Sequence, residues 1–263
     1  MPLVGGQRCG GAEARHCAVL SRKRVNGDVG VTARLLASRL TELRTGYRSP
    51  AVLDRIAEGR RWRDQPYRDL STGELIDPRT LSIRLDDLLP AERLVAVDSG
   101  NFMGYPSMFL SVPDEEGFCF TQAFQSIGLG LATAIGASLA RPDRLTVAAL
   151  GDGGALMAAQ ELETVVRLGL PMLVVVYNDR GYGAEVHHFG PQGYPLDTVA
   201  FPDTDIAAIG RGYGFEAVTV RRPADLDAVA AWVSGPRTRP MLIDAKIVSN
   251  SGAWWLEEAF RHH

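Results

Sequence analysis

From Arg93 onward the chain alternates short apolar runs with stretches of helical period, and this alternation limits the fold more than any other feature. The runs are LVAV (94–97), FCF (118–120), LTVAAL (145–150), MLVVVY (172–177), FEAVTV (215–220) and MLIDAKI (241–247). Strands of this kind are buried on both faces, which marks a parallel sheet covered by helices. Helical patterns fall between them near 126–140, 156–168, 204–211 and 223–234. The expected fold is α/β: a doubly wound, mostly parallel sheet with helices on both faces, running from about residue 90 to the C-terminus.

Upstream the signals are weaker. Residues 1–26 are rich in Gly, Arg and Cys and show no period, so a disordered head is expected. Val31, Leu35, Leu36, Leu40 and Leu43 share a helical face, which predicts an amphipathic helix over 31–44. A second short helix is expected over 50–60. The polar stretch RRWRDQPYRDLSTGELI (60–76) reads as a linker. Asp77-Pro78 predicts a cap and first helical residue for a helix carrying Leu81, Leu85, Leu88 and Leu89.

Bulk composition narrows the partners. A formal net charge of -3 gives no electrostatic reason to expect nucleic acid or an anionic membrane. No apolar run approaches the roughly 20 residues that span a bilayer, and the N-terminus lacks the apolar core of a signal peptide. Three cysteines (Cys9, Cys17, Cys119) fit a reducing compartment. Cys9, His16 and Cys17 match no common zinc spacing. A cytoplasmic protein is expected.

Two of the apolar runs end at a carboxylate. The first stops at Gly151-Asp152-Gly153-Gly154 and the second at Asn178-Asp179, with one helix between them. Ligands of open parallel sheets bind beyond the carboxyl ends of the strands. Glycines there let backbone N–H groups approach an anion, yet a phosphate alone would call for positive charge. Two carboxylates beside such a turn point instead to a hard cation bridging protein and phosphate, and Mg²⁺ suits a site of few carboxylates. A lone GDG also makes ordinary turns; the strand–GDGG–helix–strand–polar pair succession is far more specific.

That succession resembles the thiamine diphosphate (ThDP) signature. The chain is similar to the diphosphate-binding domain of the acetolactate synthase, pyruvate oxidase and benzoylformate decarboxylase group over roughly residues 27 to 250, with specific motifs around 95–190. The resemblance implies Asp152 as one Mg²⁺ ligand, Asp179, 27 positions on, as the second, and the backbone carbonyl of Gly181 as the third. The group usually has Asn where this chain has Asp179, so Asn178 stands as an alternative ligand or a supporting group.

In QAFQSIGLGLATAIGA (122–137), Ile127 matches the apolar wedge beneath the cofactor, with the Gln125 carbonyl and the Ile127 N–H holding the aminopyrimidine edge. A core residue at a helix start is the plainer reading of Ile127. DSGNFMG (98–104) resembles the loop that meets the diphosphate, making Gly100, Asn101 and Phe102 cofactor contacts, or else simply a strand-to-helix turn. Gly151, Gly153, Gly154, Tyr182 and Gly183 complete the expected cofactor set. Glu185 matches an acid/base position of some decarboxylases, though a surface helix glutamate is the alternative. Nothing in their spacing places His187 or His188 on the cofactor.

The resemblance further implies a 2-oxo acid substrate and a glutamate, carried by a separate pyrimidine-binding domain, that contacts N1′ of the cofactor. In 263 residues there is no room for that domain. Residues 27–89 resemble the end of a middle domain plus linker, and 90–263 the diphosphate-binding domain. The expectation is therefore one component of an acetolactate synthase-like carboligase or 2-oxo acid decarboxylase, inactive as a single chain. It would work as a homo-oligomer or with a partner chain that carries the missing domain. A truncated, catalytically silent binding or assembly module is the alternative. A nucleotide-binding α/β domain is disfavoured, because neither GLG nor GDGG continues into G-x-G-x-x-G or a P-loop.

Overall fold

The computed structural model describes residues 28–40, 49–121, 126–250 and 252–260; the expectations for residues 1–26, Leu43 and Gln125 fall outside them. The chain divides into two compact units, Met1–Ala57 and Glu58–His263.

In the first unit, helix α1 (Val29–Arg39) begins two residues before the apolar period because Asp28 accepts from the Val31 N–H at 2.8 Å. It ends at Arg39, with Leu40 extended, so the helix predicted over 31–44 is shorter. Its apolar residues cover no core: none is buried, and Leu35 and Leu36 are 60% and 61% exposed. Helix α2 (Pro50–Gly59) lies where the second helix is expected and likewise has no buried residue.

The second unit holds helix α3 (Pro78–Leu88), β1 (Arg93–Val97), α4 (Gly104–Phe109), β2 (Phe118–Phe120), α5 (Leu129–Ala140), β3 (Leu145–Gly151), α6 (Asp152–Met157), α7 (Glu161–Arg167), β4 (Leu173–Asn178), α8 (Gly183–Phe189), α9 (Ile206–Tyr213), β5 (Glu216–Val220), α10 (Asp227–Ser234), β6 (Met241–Lys246) and α11 (Trp254–Phe260). Every predicted apolar run is a strand. The six form one parallel sheet in the order β2-β1-β3-β4-β6-β5.

The two-residue repeat of the strands sorts their side chains onto opposite faces. Val95, Val97, Val147, Ala149, Val175 and Tyr177 pack with Leu81 and Leu85 of α3 and Val229 and Trp232 of α10. Ala96, Ala148, Leu150, Val174 and Val176 pack on the other side with Leu131 and Ile135 of α5, Leu162 and Val165 of α7 and Ile206 of α9. Two cores on two faces explain why the inner strands carry no polar alternation. At the sheet edge β5 is half-buried along most of its length, which accommodates Glu216 and Thr219.

Three boundaries differ from the sequence reading. The helix expected over 126–140 starts only at Leu129, because Gly128 takes the left-handed conformation with φ of 93°. The helix expected over 156–168 is two short helices, the first starting at Asp152 itself. The stretch 60–76 is more than a linker at its end. Ile76 is fully buried and bridges in parallel to Ile247, its N–H donating to the Lys246 carbonyl at 2.9 Å. The surrounding polar residues hide this single buried position. With Ile76, Leu81 and Leu85 all at 0% exposure, the unit containing the sheet extends well upstream of residue 90.

Candidate functional site

β1 lies between β2 and β3, so the chain leaves it in opposite directions and opens a crevice above the carboxyl ends of β1 and β3. Register sets the depth of the tips: Gly151 pairs opposite Tyr177, so Asp152 and Asn178-Asp179 emerge side by side.

Asp152 is 3% exposed at the first position of α6. Its Oδ2 accepts from the Gly181 N–H at 2.9 Å, while its buried Oδ1 has no hydrogen-bond partner. An unpaired buried acceptor costs about 1–3 kcal/mol. Burial pushes this carboxyl up to about 6, against the Gly153 and Gly181 N–H groups that favour its ionised form. Asp179 is pushed up to about 8, by burial first and by the charge of Asp152 second. The Asp152 charge thus opposes ionisation of Asp179, while a hydrogen bond from Asp179 favours the ionised form of Asp152. The chain accepts this crowding closely: a Cβ at Gly183 would overlap the Asp179 carboxylate, so only glycine fits at the start of α8.

The fold brings the sequence-predicted residues together. Gly100, Asn101, Phe102, Ile127, Gly151, Asp152, Gly153, Gly154, Asp179, Gly181, Tyr182, Gly183 and Glu185 all line one cavity of about 20 Å³. Among the described residues that line it, three are carboxylates and none is Lys, Arg or His. An anion entering such a cavity without a cation would meet uncompensated repulsion. Among the described residues no group of three or more His, Cys, Asp or Glu gathers to hold a metal. Two carboxylates and a carbonyl suit Mg²⁺, which takes few protein ligands and fills its shell with water and phosphate oxygens. The orphaned Asp152 oxygen fits that cation.

Other positions are placed less simply. The Asn178 side chain turns away from the cavity: its Nδ2 donates to Asp244 Oδ1 at 2.8 Å and its Oδ1 accepts from the Arg180 N–H at 3.2 Å. Asn101 Oδ1 accepts from the Ala253 N–H at 3.0 Å. Phe102 is 3% exposed and stacks on Tyr177 at 5.3 Å, so most of its ring belongs to the core. The space freed at Gly153 and Gly154 is taken by the Tyr182 ring and the Asp98 carboxylate, rather than left open. Ile127 lies beside Gly154, a Cβ there falling 3.4 Å from Ile127 Cγ2. Glu185 is half-buried in the first turn of α8. His187 and His188 line a neighbouring cavity of about 210 Å³ that shares Asn101 and Ala184 with the first.

Sequence reasoning missed Asp98. It is fully buried after β1, accepting from the Ser99 N–H at 2.8 Å and the Gly128 N–H at 2.9 Å, and burial raises its pKa. It pins the turn that presents Ile127. The signal was available, since Asp98 ends the run LVAV as Asp152 ends LTVAAL.

Fold and site together define an α/β protein with a cleft at the carboxyl ends of parallel strands, lined by a cluster of acidic side chains. Residues 98–245 match the family described as "Thiamine pyrophosphate enzyme, C-terminal TPP binding domain", and the chain belongs to that family. It is 33% identical over 141 residues to a sulfoacetaldehyde acetyltransferase of Alcaligenes xylosoxydans xylosoxydans, covering 54% of this chain and 23% of that protein. It is 28% identical over 233 residues to the catabolic acetolactate synthase of Raoultella terrigena, covering 82% of this chain and 41% of that one. The Rhodococcus jostii RHA1 thiamine diphosphate-dependent 4-hydroxybenzoylformate decarboxylase shares the fold, with a TM-score of 0.62 at 20% identity over 71% of this chain and 36% of that one. The chain thus spans less than half the length of each of these relatives. Among the described residues no helix is long and apolar enough to cross a membrane.

Proposed function

We propose that this chain supplies the diphosphate- and cation-binding half of a thiamine diphosphate site, within an acetolactate synthase-like carboligase or a 2-oxo acid decarboxylase. Asp152, Asp179 and the Gly181 carbonyl would hold Mg²⁺, with Asn178 acting behind them through Asp244. The observation that carries this reading is the buried carboxylate pair, one oxygen unpartnered, in a cavity without a basic side chain. A divalent ion offsets both carboxylates and lets phosphate oxygens approach.

When bound, thiamine diphosphate supplies the carbanion chemistry at the carbonyl of a 2-oxo acid. The chain's own residues bind and orient. Asp98 fixes the turn at Gly128 and with it Ile127, the proposed apolar support. Gly100, Asn101, Tyr182 and Gly183 form the wall along which the cofactor would lie. Glu185, half-buried on the same wall, would exchange a proton with substrate. A cavity of about 20 Å³ admits an ion or a single water. The opposite wall, with its activating glutamate, would come from a pyrimidine-binding domain across an oligomer interface. A cytoplasmic location belongs to the same proposal.

Calorimetric titration with ThDP tests the site. Binding is expected only with Mg²⁺ present, and Asp152→Ala or Asp179→Ala should abolish it. Equal ThDP affinity with and without a divalent cation would overturn the reading. Turnover of pyruvate or benzoylformate, by the chain combined with a pyrimidine-binding domain, separates an active component from a silent module.

A further inference from the structure

The Asp179 carboxylate is held from outside the cavity. Ser249 Oγ donates to Asp179 Oδ2 at 3.2 Å, and His187 Nε2 lies 3.0 Å from the same Ser249 oxygen. Three separate elements converge in this chain of contacts: the loop after β4, the tail of β6, and helix α8. The tail is itself fixed. The Ile247 N–H donates to the Asn178 carbonyl at 3.0 Å, and the Val248 N–H to the Ile76 carbonyl at 3.0 Å. Ser249 therefore stands at a set distance from the residue next to Asn178. His187 is held in turn, its Cβ facing the backbone of Gly252, where an added Cβ would meet it at 3.2 Å.

We propose that Ser249 and His187 are positioning residues for the metal ligand Asp179, acting through a Ser–His relay that holds one carboxylate oxygen in place for the cation. The inference rests on the Mg²⁺ reading of the site. Its physical content is an ordering problem. A carboxylate forced beside Asp152 gains by swinging away, and a donor on its Oδ2 opposes that swing. A hydrogen bond to an ionised acceptor is about twice as strong as one between neutral groups.

The relay also fixes a tautomer. With a cation bound, the Asp179 carboxylate is ionised and only accepts, so the Ser249 proton goes to Asp179. Ser249 Oγ must then accept from His187, which places the imidazole proton on Nε2. Both contacts lie outside the cavity lining, so the pair acts on the ion only through Asp179.

Mg²⁺ titration of the full chain at saturating ThDP, followed by calorimetry, tests the relay. Outer groups that orient a metal ligand are commonly worth 10–100-fold in affinity. Ser249→Ala should weaken Mg²⁺ binding about tenfold, His187→Gln should weaken it less, and Ser249→Thr, which keeps the hydroxyl, should restore most of it. Cation-free melting temperatures should stay together across the three variants. The second readout is the imidazole ¹⁵N spectrum of the Mg²⁺-loaded protein, expected to show His187 as the Nε2–H form and to lose that preference in Ser249→Ala. Unchanged Mg²⁺ affinity in Ser249→Ala, or an unchanged His187 tautomer, overturns the proposal. If the wild-type chain binds no Mg²⁺ at all, the metal site is at fault and not the relay. Should Ser249→Ala fold poorly, failure of Ser249→Thr to match the wild type while His187→Gln binds normally would refute it equally.

Discussion

Asp152, just past the end of β3, and Asp244, within β6, are two buried aspartates of the same fold, and they live in opposite circumstances. Asp244, in β6, is 0% exposed and saturated: one oxygen accepts from Asn178 Nδ2 at 2.8 Å, the other from the Ile206 N–H at 3.1 Å, and Lys246 pairs with it at 3.1 Å. Lys246 in turn reaches Asp203 at 2.7 Å and the Thr204 carbonyl at 2.9 Å. Asp152 accepts from the Gly181 N–H on Oδ2, has no hydrogen-bond partner on Oδ1 among the described residues, and has a second carboxylate for a neighbour. A buried charge that is fully paired holds the fold together. One left half-paired beside a like charge costs stability in the bare protein, and a ligand returns it. Burial alone does not tell the two apart; the partners do.

The contrast can be broken in several ways. The largest effect is expected at Asp244. Asp244→Ala strands Asn178, the Ile206 N–H and part of the Lys246 charge, and should destabilise the protein by about 3–5 kcal/mol in urea unfolding. Asp152→Asn, made in cation-free protein, should cost little or even stabilise, while removing Mg²⁺-dependent ThDP binding. Equal losses of stability at the two sites would erase the distinction.

pH offers a second handle, without mutation. Asp152 and Asp179 have native pKa values raised to about 6 and about 8, above the unfolded value near 4. The native state therefore keeps protons that the unfolded chain releases. Their contribution to stability is full below about pH 4 and is lost as pH rises through 6 and then 8. Thermal melts of cation-free protein should show a falling midpoint between about pH 5 and pH 8. Saturating Mg²⁺ with ThDP should flatten that slope, as should Asp152→Asn combined with Asp179→Asn. A cation-free midpoint that climbs across this range would contradict the pairing of these carboxylates.

Gly183→Ala comes next in size. Its Cβ must displace the Asp179 carboxylate, and overpacking of this kind costs about 1–3 kcal/mol, so Mg²⁺ affinity should fall roughly in proportion. The smallest effect is expected at Glu185, the third acidic group on the cavity wall. Glu185→Gln should leave Mg²⁺ affinity within about threefold, since the carboxylate that acts on Asp179 is that of Asp152. A large drop would move Glu185 into the cation's own ligand set.

How much of this could be read from the chain depended on where each residue's environment came from. The strands were legible because a run buried on both faces leaves its mark in consecutive residues, as in LTVAAL and MLVVVY. Asp152 and Asp179 stood out for the same reason, each ending such a run. Ile76 did not, because its partner Ile247 lies far along the chain and its neighbours are polar. The apolar residues of α1 misled in the other direction: period shows which side chains share a face, and not whether anything covers it. The direction of the Asn178 side chain and the role of Ser249 follow from β6 lying next to β4, an order that no local pattern dictates. Asp98 was within reach, and was passed over for the glycine-rich turn that follows it.

The place of β6 carries a consequence for biogenesis. Among the described strands it comes last along the chain and yet is an inner one, inserted between β4 and β5. As the chain leaves the ribosome, β4 must wait with a bare hydrogen-bonding edge until residues beyond 240 emerge. Such an edge invites pairing with other nascent chains. The acidic loop after β4 would stay loosely ordered over the same interval, so a cation pocket of the kind proposed would be complete only once synthesis has passed Ser249.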